Sequence, residues 1–396
     1  MKSKNGMRRL YLKQGRMRPV ALALLAFVSL ELSCSKPPTV ISSKATLNAE
    51  PVGEGESTGE PEPTPVSNPN PTTNPTTQPM LPLPQVPVVK ACTDQSEKCH
   101  PHVFILADEP LHKILLVNLD DPSKDWDLSV PFGARDLQLI GDGKLLVGTL
   151  DYGGGYHEVD IATGKILKSV VGFGSVGAVQ RLANGNTLVM GEGLDGSEGA
   201  TVVLETDPLK KIVNKYVFAG VTGGRMVRRT AAGTFLVGKG NNHQDFMLEM
   251  TKDGKEIWRA ENNDWPAHMG LRLPSGDTVV ASGHGKTLLF FDKNAKLKKT
   301  IGGPSTPEAN DVKPNYSGAF FMMPNGNFIM TNWQGHETNL GGSGRQIIEY
   351  NAEGKLVWWW KQDAKRISSV HNILVLDNLD LTKMYDDLNG VLEISK

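Results

Sequence analysis

The segment RLANGNTLV (181–189) carries the pattern on which the fold prediction rests. Two hydrophobic arms flank Asn-Gly, the dipeptide that most strongly favours a β-hairpin. A pattern of the same form occurs four more times, in LIGDGKLLV (139–147), RTAAGTFLV (229–237), RLPSGDTVV (272–280) and MMPNGNFIM (322–330). Five hairpins of one kind in a single chain indicate a repeat architecture.

The turn glycines of these hairpins set the length of the repeat. They are spaced 42, 48, 43 and 50 residues apart, at Gly143, Gly185, Gly233, Gly276 and Gly326. After each hairpin come a loop, a third strand with alternating hydrophobic residues, a tight turn and a fourth strand, and no long window has helical periodicity. Four short strands in a repeat of about 40 to 50 residues are typical of one blade of a β-propeller.

The number of blades follows from the complete units and the two ends. Five complete units are predicted, over about 134–170, 177–218, 224–260, 267–302 and 317–362. Residues 102–130 supply three strands without an inner one, and 370–378 has the pattern of the missing inner strand. Their pairing would form a sixth blade and leave no open sheet edge. We therefore predict an all-β propeller of six four-stranded blades over 91–396; seven blades would result if KMYDDLNGVLEIS (383–395) supplied two further strands.

The N-terminus predicts export. Residues 1–18 carry seven Lys or Arg and no acid, and the apolar run VALALLAFVSL (20–30) is too short to span a bilayer. The small residue before Cys34 resembles the lipobox of bacterial lipoproteins, although Glu31 stands where an aliphatic residue is usual. We interpret 1–33 as a lipoprotein signal peptide, with translation from Met1, Met7 or Met17. An ordinary cleaved signal with an incidental cysteine is the alternative.

A lipid on Cys34 would anchor the protein to a membrane. Because Ser35 rather than Asp follows the cysteine, the resemblance implies the bacterial outer membrane, on its periplasmic or its outer side. Residues 34–90 are predicted to be a disordered linker rich in Pro, Thr and Asn, which cannot bury enough apolar surface to fold. Cys92 and Cys99 are the remaining cysteines, and they predict a small disulfide loop in an oxidising compartment.

Composition and motifs exclude several functions. The formal net charge is -1, with no basic segment in the repeat region, which argues against a nucleic-acid partner. The HExxH, P-loop and GxSxG motifs are absent, and so are acidic clusters of the calcium-binding type. We therefore predict neither a metal site nor a cofactor.

Candidate site residues lie at the start of each inner strand. We name the strands of a blade A to D from channel to rim, and the B–C and D–A loops then share one face, the loop face. The position eight residues before each turn glycine is Arg135, Gly177, Arg225, His268 or Gly318, and His371 takes it in the closing blade. These side chains are predicted to ring the channel opening, with His243, His284, Trp333 and His336 on the neighbouring loops. Arg can clamp an anion and His can move a proton or act as a nucleophile, whereas a purely structural role is the alternative.

The segments RLANGNTLV (181–189) and EMTKDGKEIW (249–258) resemble the PQQ-like and arylsulfotransferase-like group of β-propellers, over about 290 residues. The resemblance implies one candidate function, sulfuryl transfer independent of PAPS. His268 or His371 would be the nucleophile, and Arg135 and Arg225 would be the clamps. The other candidate, which we prefer, is an exported recognition module that binds a protein, glycan or small anion at the loop face. PQQ itself is not predicted, since only two repeats, at Trp258 and Trp358, carry the expected tryptophan.

Overall fold

The structure is a computed structural model that describes residues 102–386 and 390–392, except 132, 151–152, 241–245, 262–266, 342 and 364. Within these residues the chain forms 26 β-strands, one short α-helix, α1 (Ala309–Val312), and two single-turn 3-10 helices (Pro122–Lys124 and Leu194–Gly196). The strands are β1 (Val103–Asp108), β2 (Lys113–Asn118), β3 (Trp126–Ser129), β4 (Ala134–Gly141), β5 (Lys144–Thr149), β6 (Gly154–Asp160), β7 (Ile166–Gly174), β8 (Val176–Arg181), β9 (Thr187–Glu192), β10 (Ala200–Thr206), β11 (Ile212–Ala219), β12 (Gly224–Arg229), β13 (Phe235–Lys239), β14 (Phe246–Met250), β15 (Glu256–Glu261), β16 (Met269–Arg272), β17 (Thr278–Ala281), β18 (Leu288–Phe291), β19 (Leu297–Ile301), β20 (Ser317–Met322), β21 (Phe328–Asn332), β22 (Ile347–Tyr350), β23 (Leu356–Trp360), β24 (Val370–Val375), β25 (Met384–Asp386) and β26 (Gly390–Leu392).

Local turn chemistry explains why each repeat folds into a hairpin. In the copy at 181–189, the Gly185 N–H donates to the Leu182 carbonyl at 2.9 Å, and the Leu182 N–H donates to the Asn186 carbonyl at 2.8 Å. Gly185 has a φ of 85°, a conformation in which a Cβ is unfavourable. The Asn184 side chain accepts from the Asn186 N–H at 3.0 Å, which stabilises the same turn.

Six blades form a propeller ring, as predicted. Blades 1 to 5 contain four consecutive strands each, from β4 to β23, and blade 6 contains β24, β1, β2 and β3 in that order. The predicted closure is confirmed, because β24 pairs antiparallel with β1, with Phe104 opposite Val375 and Ala107 opposite Asn372. The two ends of the ring are therefore joined within one sheet.

The seven-blade alternative is wrong. Residues of the C-terminal segment do form two strands, β25 and β26, but β25 pairs with inner strand β4 at Met384 and Ile140. The Gly143 N–H also donates to the Leu381 carbonyl at 2.8 Å, and the Tyr385 ring lies 5.6 Å from that of Phe321 in blade 5. The hairpin thus extends the sheet of blade 1 at the end of the ring opposite the loop face, which we call the turn face.

Hydrophobic packing between blades forms the core. Inner and middle strands are buried on both faces, so β1 reads as the apolar run VFILA rather than as an alternating strand. Trp358 and Trp360 of β23 are both buried and pack edge-on against Phe104 of blade 6, with ring centroids 6.3 and 5.2 Å apart. Outer strand β11 is mostly exposed, with the burial confined to Tyr216 and Phe218.

The first residue of the repeated hairpin joins neighbouring blades. Arg181 donates to Glu158 of the preceding blade at 2.6 Å, and Arg272 forms the equivalent ion pair with Glu249. Between blades 4 and 5 this pair is replaced by Phe290 and Met322, which belong to one hydrophobic cluster. The polar contacts between blades are therefore part of the repeat itself.

Candidate functional site

The structure places the predicted column at the loop-face ends of the inner strands. Arg135 and His371 are the second residues of β4 and β24, Arg225 is the second residue of β12, and His268 immediately precedes β16. The imidazole rings of His268 and His371 lie 4.7 Å apart, centroid to centroid, at an interplanar angle of 57°. Side chains from blades 4 and 6 thus meet across blade 5.

Glycines in the same column allow this close approach. A Cβ on Gly318 would lie 2.9 Å from the carbonyl oxygen of His371, and one on Gly177 would lie 3.0 Å from that of Arg225. Both distances are shorter than ordinary van der Waals contact, so a larger residue would push the adjacent inner strands apart. The backbone of Gly318 also forms a hydrogen bond with His268.

Glu109 is the site residue that the sequence analysis missed. Its Oε1 accepts from Nη2 of Arg135 at 3.1 Å and lies 3.3 Å from Nδ1 of His336. Its Oε2 lies 3.6 Å from Nε2 of His371, which is too long for a hydrogen bond. Glu109 begins the B–C turn of blade 6, and B–C turns lie on the loop face. The signal that identifies Glu109 is its position directly after strand B of blade 6, since B–C loops lie on the loop face in the five complete blades as well.

We call Glu109, Arg135, Arg225, His268 and His371 the mouth cluster. Both histidines are almost fully buried. Burial lowers the pKa of each well below its ordinary value, and the charges of Arg135 and Arg225 lower both further. His268 and His371 are therefore neutral at physiological pH, because a second pair of cations cannot be accommodated beside the arginines.

Several polar atoms of the mouth cluster are buried without a hydrogen-bond partner among the described residues. They are Nδ1 of His268 and His371, Nε of Arg135 and Arg225, and Oε2 of Glu109. Such atoms are rare in folded proteins, because each one loses its hydrogen bonds to water without replacement. Five of the fifteen such atoms among the described residues belong to the mouth cluster, and there they include charged side chains that a ligand could satisfy.

Aromatic side chains form one wall of this opening. The Trp333 ring lies 6.2 Å from that of His371, 5.2 Å from that of Tyr316 and 4.7 Å from that of His336. The exposed His284 packs edge-on against Tyr316 at 4.8 Å. The structure thus brings three of the predicted loop residues, His284, Trp333 and His336, next to the mouth cluster.

Buried hydrogen bonds hold the loop that carries Trp333 and His336. Oγ of Ser369 accepts from the N–H groups of Gln334 at 2.7 Å and Gly335 at 3.1 Å. Asp108 in turn accepts from the N–H of Ser368 at 2.6 Å. Burial raises the pKa of Asp108 to about 6. The loop is therefore positioned by blade 6, the same blade that supplies Glu109 and His371.

The layer below the mouth cluster is fully paired. Arg228 donates to both carboxylate oxygens of Asp136, at 2.6 and 2.9 Å, and Asp136 also accepts from the Val179 N–H at 2.9 Å. Both charged side chains are buried. Bidentate geometry of this kind gives the strongest hydrogen bonds between charged groups. Arg228 and Asp136 therefore stabilise the ring, and their hydrogen-bonding groups are used within the protein rather than for a ligand.

Arg225 forms a hydrogen bond with the loop after β13, and several other predicted residues lie outside the described part of the chain. Nη2 of Arg225 donates to the Gly240 carbonyl at 3.2 Å, which directs it toward the loop that continues to His243. His243 itself lies outside the described residues, as do Cys34, Cys92, Cys99 and the predicted signal peptide and linker over 1–90. Those assignments stay predictions.

Neither a helix that could span a membrane nor a metal-binding cluster is found among the described residues. No helix in this part of the chain has the length and apolar character needed to cross a membrane. Among the same residues, no group of three or more His, Cys, Asp or Glu side chains is arranged to hold a metal ion.

Comparisons with known proteins support the architecture. No protein-family model and no curated protein matches the sequence. A protein of unknown function from Bacteroides caccae is similar in structure, with a TM-score of 0.56, 18% identity and coverage of 70% of this chain and 100% of that one. A chain of the nidogen/laminin complex has a TM-score of 0.50 and 12% identity, with coverage of 69% of this chain and 97% of that one. At these identities the likeness shows the β-propeller fold alone.

Proposed function

We propose that this protein is an exported lipoprotein whose propeller is a recognition module, and that the mouth cluster binds a small anion. The observation that carries the proposal is the group of buried donors without partners, Nε of Arg135 and Nε of Arg225, beside two neutral histidines. A free anion, or an anionic group on a glycan or a protein, would be bound by the same atoms.

The charge balance of the mouth cluster favours an anion. Glu109 is the single carboxylate in the cluster, and its Oε1 contacts Arg135, while Arg225 donates to a backbone carbonyl. The two histidines add no charge in the ligand-free site. An anion would offset the remaining positive charge, and charge-assisted hydrogen bonds from arginine are the strong ones in proteins.

Membrane anchoring is proposed from the sequence. Residues 1–33 would direct export, and a lipid attached to Cys34 would anchor the protein to a membrane. The Pro-rich segment up to residue 90 would hold the propeller away from the membrane surface. Intact-mass analysis of protein extracted from membranes tests this. A mature chain that begins elsewhere than at Cys34, or that carries no lipid, would contradict it.

Calorimetric titration with phosphate, sulfate and phenyl sulfate tests anion binding. The double variant Arg135→Ala, Arg225→Ala removes both clamps and should weaken binding at least about a hundredfold, since each charge-assisted contact contributes about 1.5–3 kcal/mol. Arg181→Ala is the matched control, because Arg181 forms an ion pair with Glu158 away from the cluster. If the wild-type protein binds none of the three anions, the proposal fails.

Sulfuryl transfer is the second candidate, and the two neutral buried histidines favour it. An unprotonated imidazole nitrogen can attack the sulfur of an aryl sulfate, form an N–S bond and release the phenolate as the S–O bond breaks. The oxygen of an acceptor phenol would then attack the sulfur, the N–S bond would break, and the phenol proton would pass to the freed imidazole. Release of nitrophenolate from nitrophenyl sulfate measures the first step. His268→Ala and His371→Ala, assayed separately, identify the nucleophile; equal turnover in both variants and wild type would exclude this function.

A further inference from the structure

We infer that the mouth cluster selects an oxyanion that carries its own O–H group, such as hydrogen phosphate, over one that has none, such as sulfate. This inference rests on the proposed anion site and assigns the selectivity to Glu109, whose Oε2 is the one charged acceptor among the unpartnered atoms of the cluster.

The unpartnered atoms differ in what they require of a ligand. Nε of Arg135 and Nε of Arg225 can only donate, so they fit any oxyanion. Nδ1 of His371 donates or accepts according to the tautomer of the neutral imidazole. Nδ1 of His268 accepts, because the other ring nitrogen donates to the Gly318 carbonyl. Oε2 of Glu109 can only accept while the carboxylate is ionised. Glu109 is therefore the charged group that distinguishes a ligand with a donor from one without.

Glu109 is held in place for this role. Its Oε1 is engaged by Arg135 at 3.1 Å and by His336 at 3.3 Å, while Oε2 points to the His371 side of the cluster, 3.6 Å from Nε2. The residue is only 8% exposed, so water screens its charge poorly. A ligand that contacts Arg135 also lies near this carboxylate, because Oε1 of Glu109 accepts from Nη2 of Arg135.

The two ions then meet opposite conditions at Oε2. Hydrogen phosphate can donate its O–H to the carboxylate, which gives Oε2 the hydrogen bond that it lacks. Sulfate has no proton at neutral pH. One of its oxygens would therefore face Oε2 of Glu109, and the two negatively charged oxygens would repel each other. A site built to accept a hydrogen bond rejects an analogue that cannot donate one, because the buried acceptor stays unpaired. The two ions have nearly the same size and shape, so size does not account for the selectivity.

Titration calorimetry of phosphate and sulfate at pH 7.5 and equal ionic strength tests the inference. We expect wild-type protein to bind phosphate at least about tenfold more tightly than sulfate, the factor that corresponds to about 1.4 kcal/mol for an unpaired acceptor. Glu109→Gln replaces the obligate acceptor with an amide that also donates. It should strengthen sulfate binding, weaken phosphate binding and so reduce the preference at least about tenfold.

Glu158→Gln is the matched control. Glu158 and Arg181 form an ion pair whose side chains are 14% and 14% exposed, against 11% and 14% for Glu109 and Arg135. The control variant should keep the wild-type preference. A comparison of arsenate, which carries an O–H at this pH, with molybdate, which does not, needs only wild-type protein and covers the case in which Glu109→Gln does not fold.

The outcomes separate the inference from the function on which it rests. Sulfate binding as tight as phosphate binding, or molybdate binding as tight as arsenate binding, would overturn the selectivity and leave the anion site standing. A preference that persists in folded Glu109→Gln would overturn the role of Glu109. The absence of binding by any of the four ions would overturn both proposals.

Discussion

The two ends of strand β1 carry polar clusters of opposite character. At its start, His102 donates to Asp377 through Nδ1 and contacts Glu349 through Nε2 at 3.2 Å. At its end, Glu109 meets the mouth cluster, where His268 and His371 each have an unpartnered Nδ1 among the described residues. The three histidines are all buried, so burial alone does not decide what a histidine does here.

The charges next to each histidine decide whether it is protonated. Hydrogen bonds and charge from Asp377 and Glu349 outweigh the cost of burial and raise the pKa of His102 to about 9. Burial and nearby arginines act together to lower the pKa of His371. The His102 cluster is therefore a filled ion network that joins blades 5 and 6. The mouth cluster keeps neutral imidazoles, and several of its donors have no partner among the described residues.

Removing the strand that supports both clusters should have the largest effect. Deletion of residues 365–396 takes away β24, which carries His371, and the following Asp377. We expect aggregation, because β1 would become an open edge beside the exposed interior of the ring. Size-exclusion chromatography measures this. Deletion of 35–85 is the control and should leave the protein monomeric with an unchanged Tm; a monomeric 365–396 deletion would contradict the role of blade 6.

Substitution of one histidine in each cluster should separate structure from site. His102→Asn removes the cation that contacts Asp377 and Glu349, and Glu349 is only 1% exposed. A buried ion pair that loses one partner costs about 3–5 kcal/mol. His371→Asn removes a neutral ring and should cost less than about 1.5 kcal/mol. Urea unfolding measures both variants. Equal losses would show that the two clusters do not differ in this way.

The two clusters should also give opposite dependences of stability on pH. The raised pKa of His102 contributes stability that is complete below pH 6.5 and is lost as pH rises through about 9. Its size is on the order of 3 kcal/mol, from about 1.36 kcal/mol for each pKa unit. The lowered pKa values of His268 and His371 do not change the free energy of unfolding above pH 6.5, because both histidines are then neutral in the folded and the unfolded state. Instead they reduce stability as pH falls below 6.5, because the unfolded state then binds protons that the folded state refuses.

Unfolding free energies between pH 5 and pH 10 check these signs. His102→Asn should abolish the alkaline loss and keep the acid loss. The double variant His268→Asn, His371→Asn should do the reverse. The same slope on both sides in wild type and variants would mean that other groups control the pH dependence.

The smallest effect is expected at the rim of the mouth cluster. His336 is 73% exposed, although its Nδ1 lies 3.3 Å from Glu109. Exposed ion pairs contribute little, so His336→Ala should change the free energy of unfolding by less than about 0.5 kcal/mol. Affinity for phosphate should change less than about threefold, within the same range. A loss as large as that of the double arginine variant would make His336 a principal ligand contact.

Much of the architecture was predictable because its causes are local. The hairpin around Gly185 depends on residues within five positions, and the same turn chemistry recurs in each blade. The spacing from turn glycine to inner-strand start also predicted that Arg135, Arg225, His268 and His371 begin inner strands. The C-terminal strands were foreseen as an alternative, but their placement on β4 was not, since a three-residue strand such as β25 has no preferred partner until the ring is closed.

The pairing of charges was decided by closure of the ring. Glu109 and Arg135 lie in different blades, and His102 meets Asp377 and Glu349 from residues 275 and 247 positions away. No periodicity in the sequence encodes such contacts, because they depend on how many blades complete the circle and on where its two ends join. The repeat alone therefore specifies the strands, the turns and the five complete blades. Only the closed ring determines that one buried histidine is charged and paired, and that two others remain neutral, each with an Nδ1 that has no partner among the described residues.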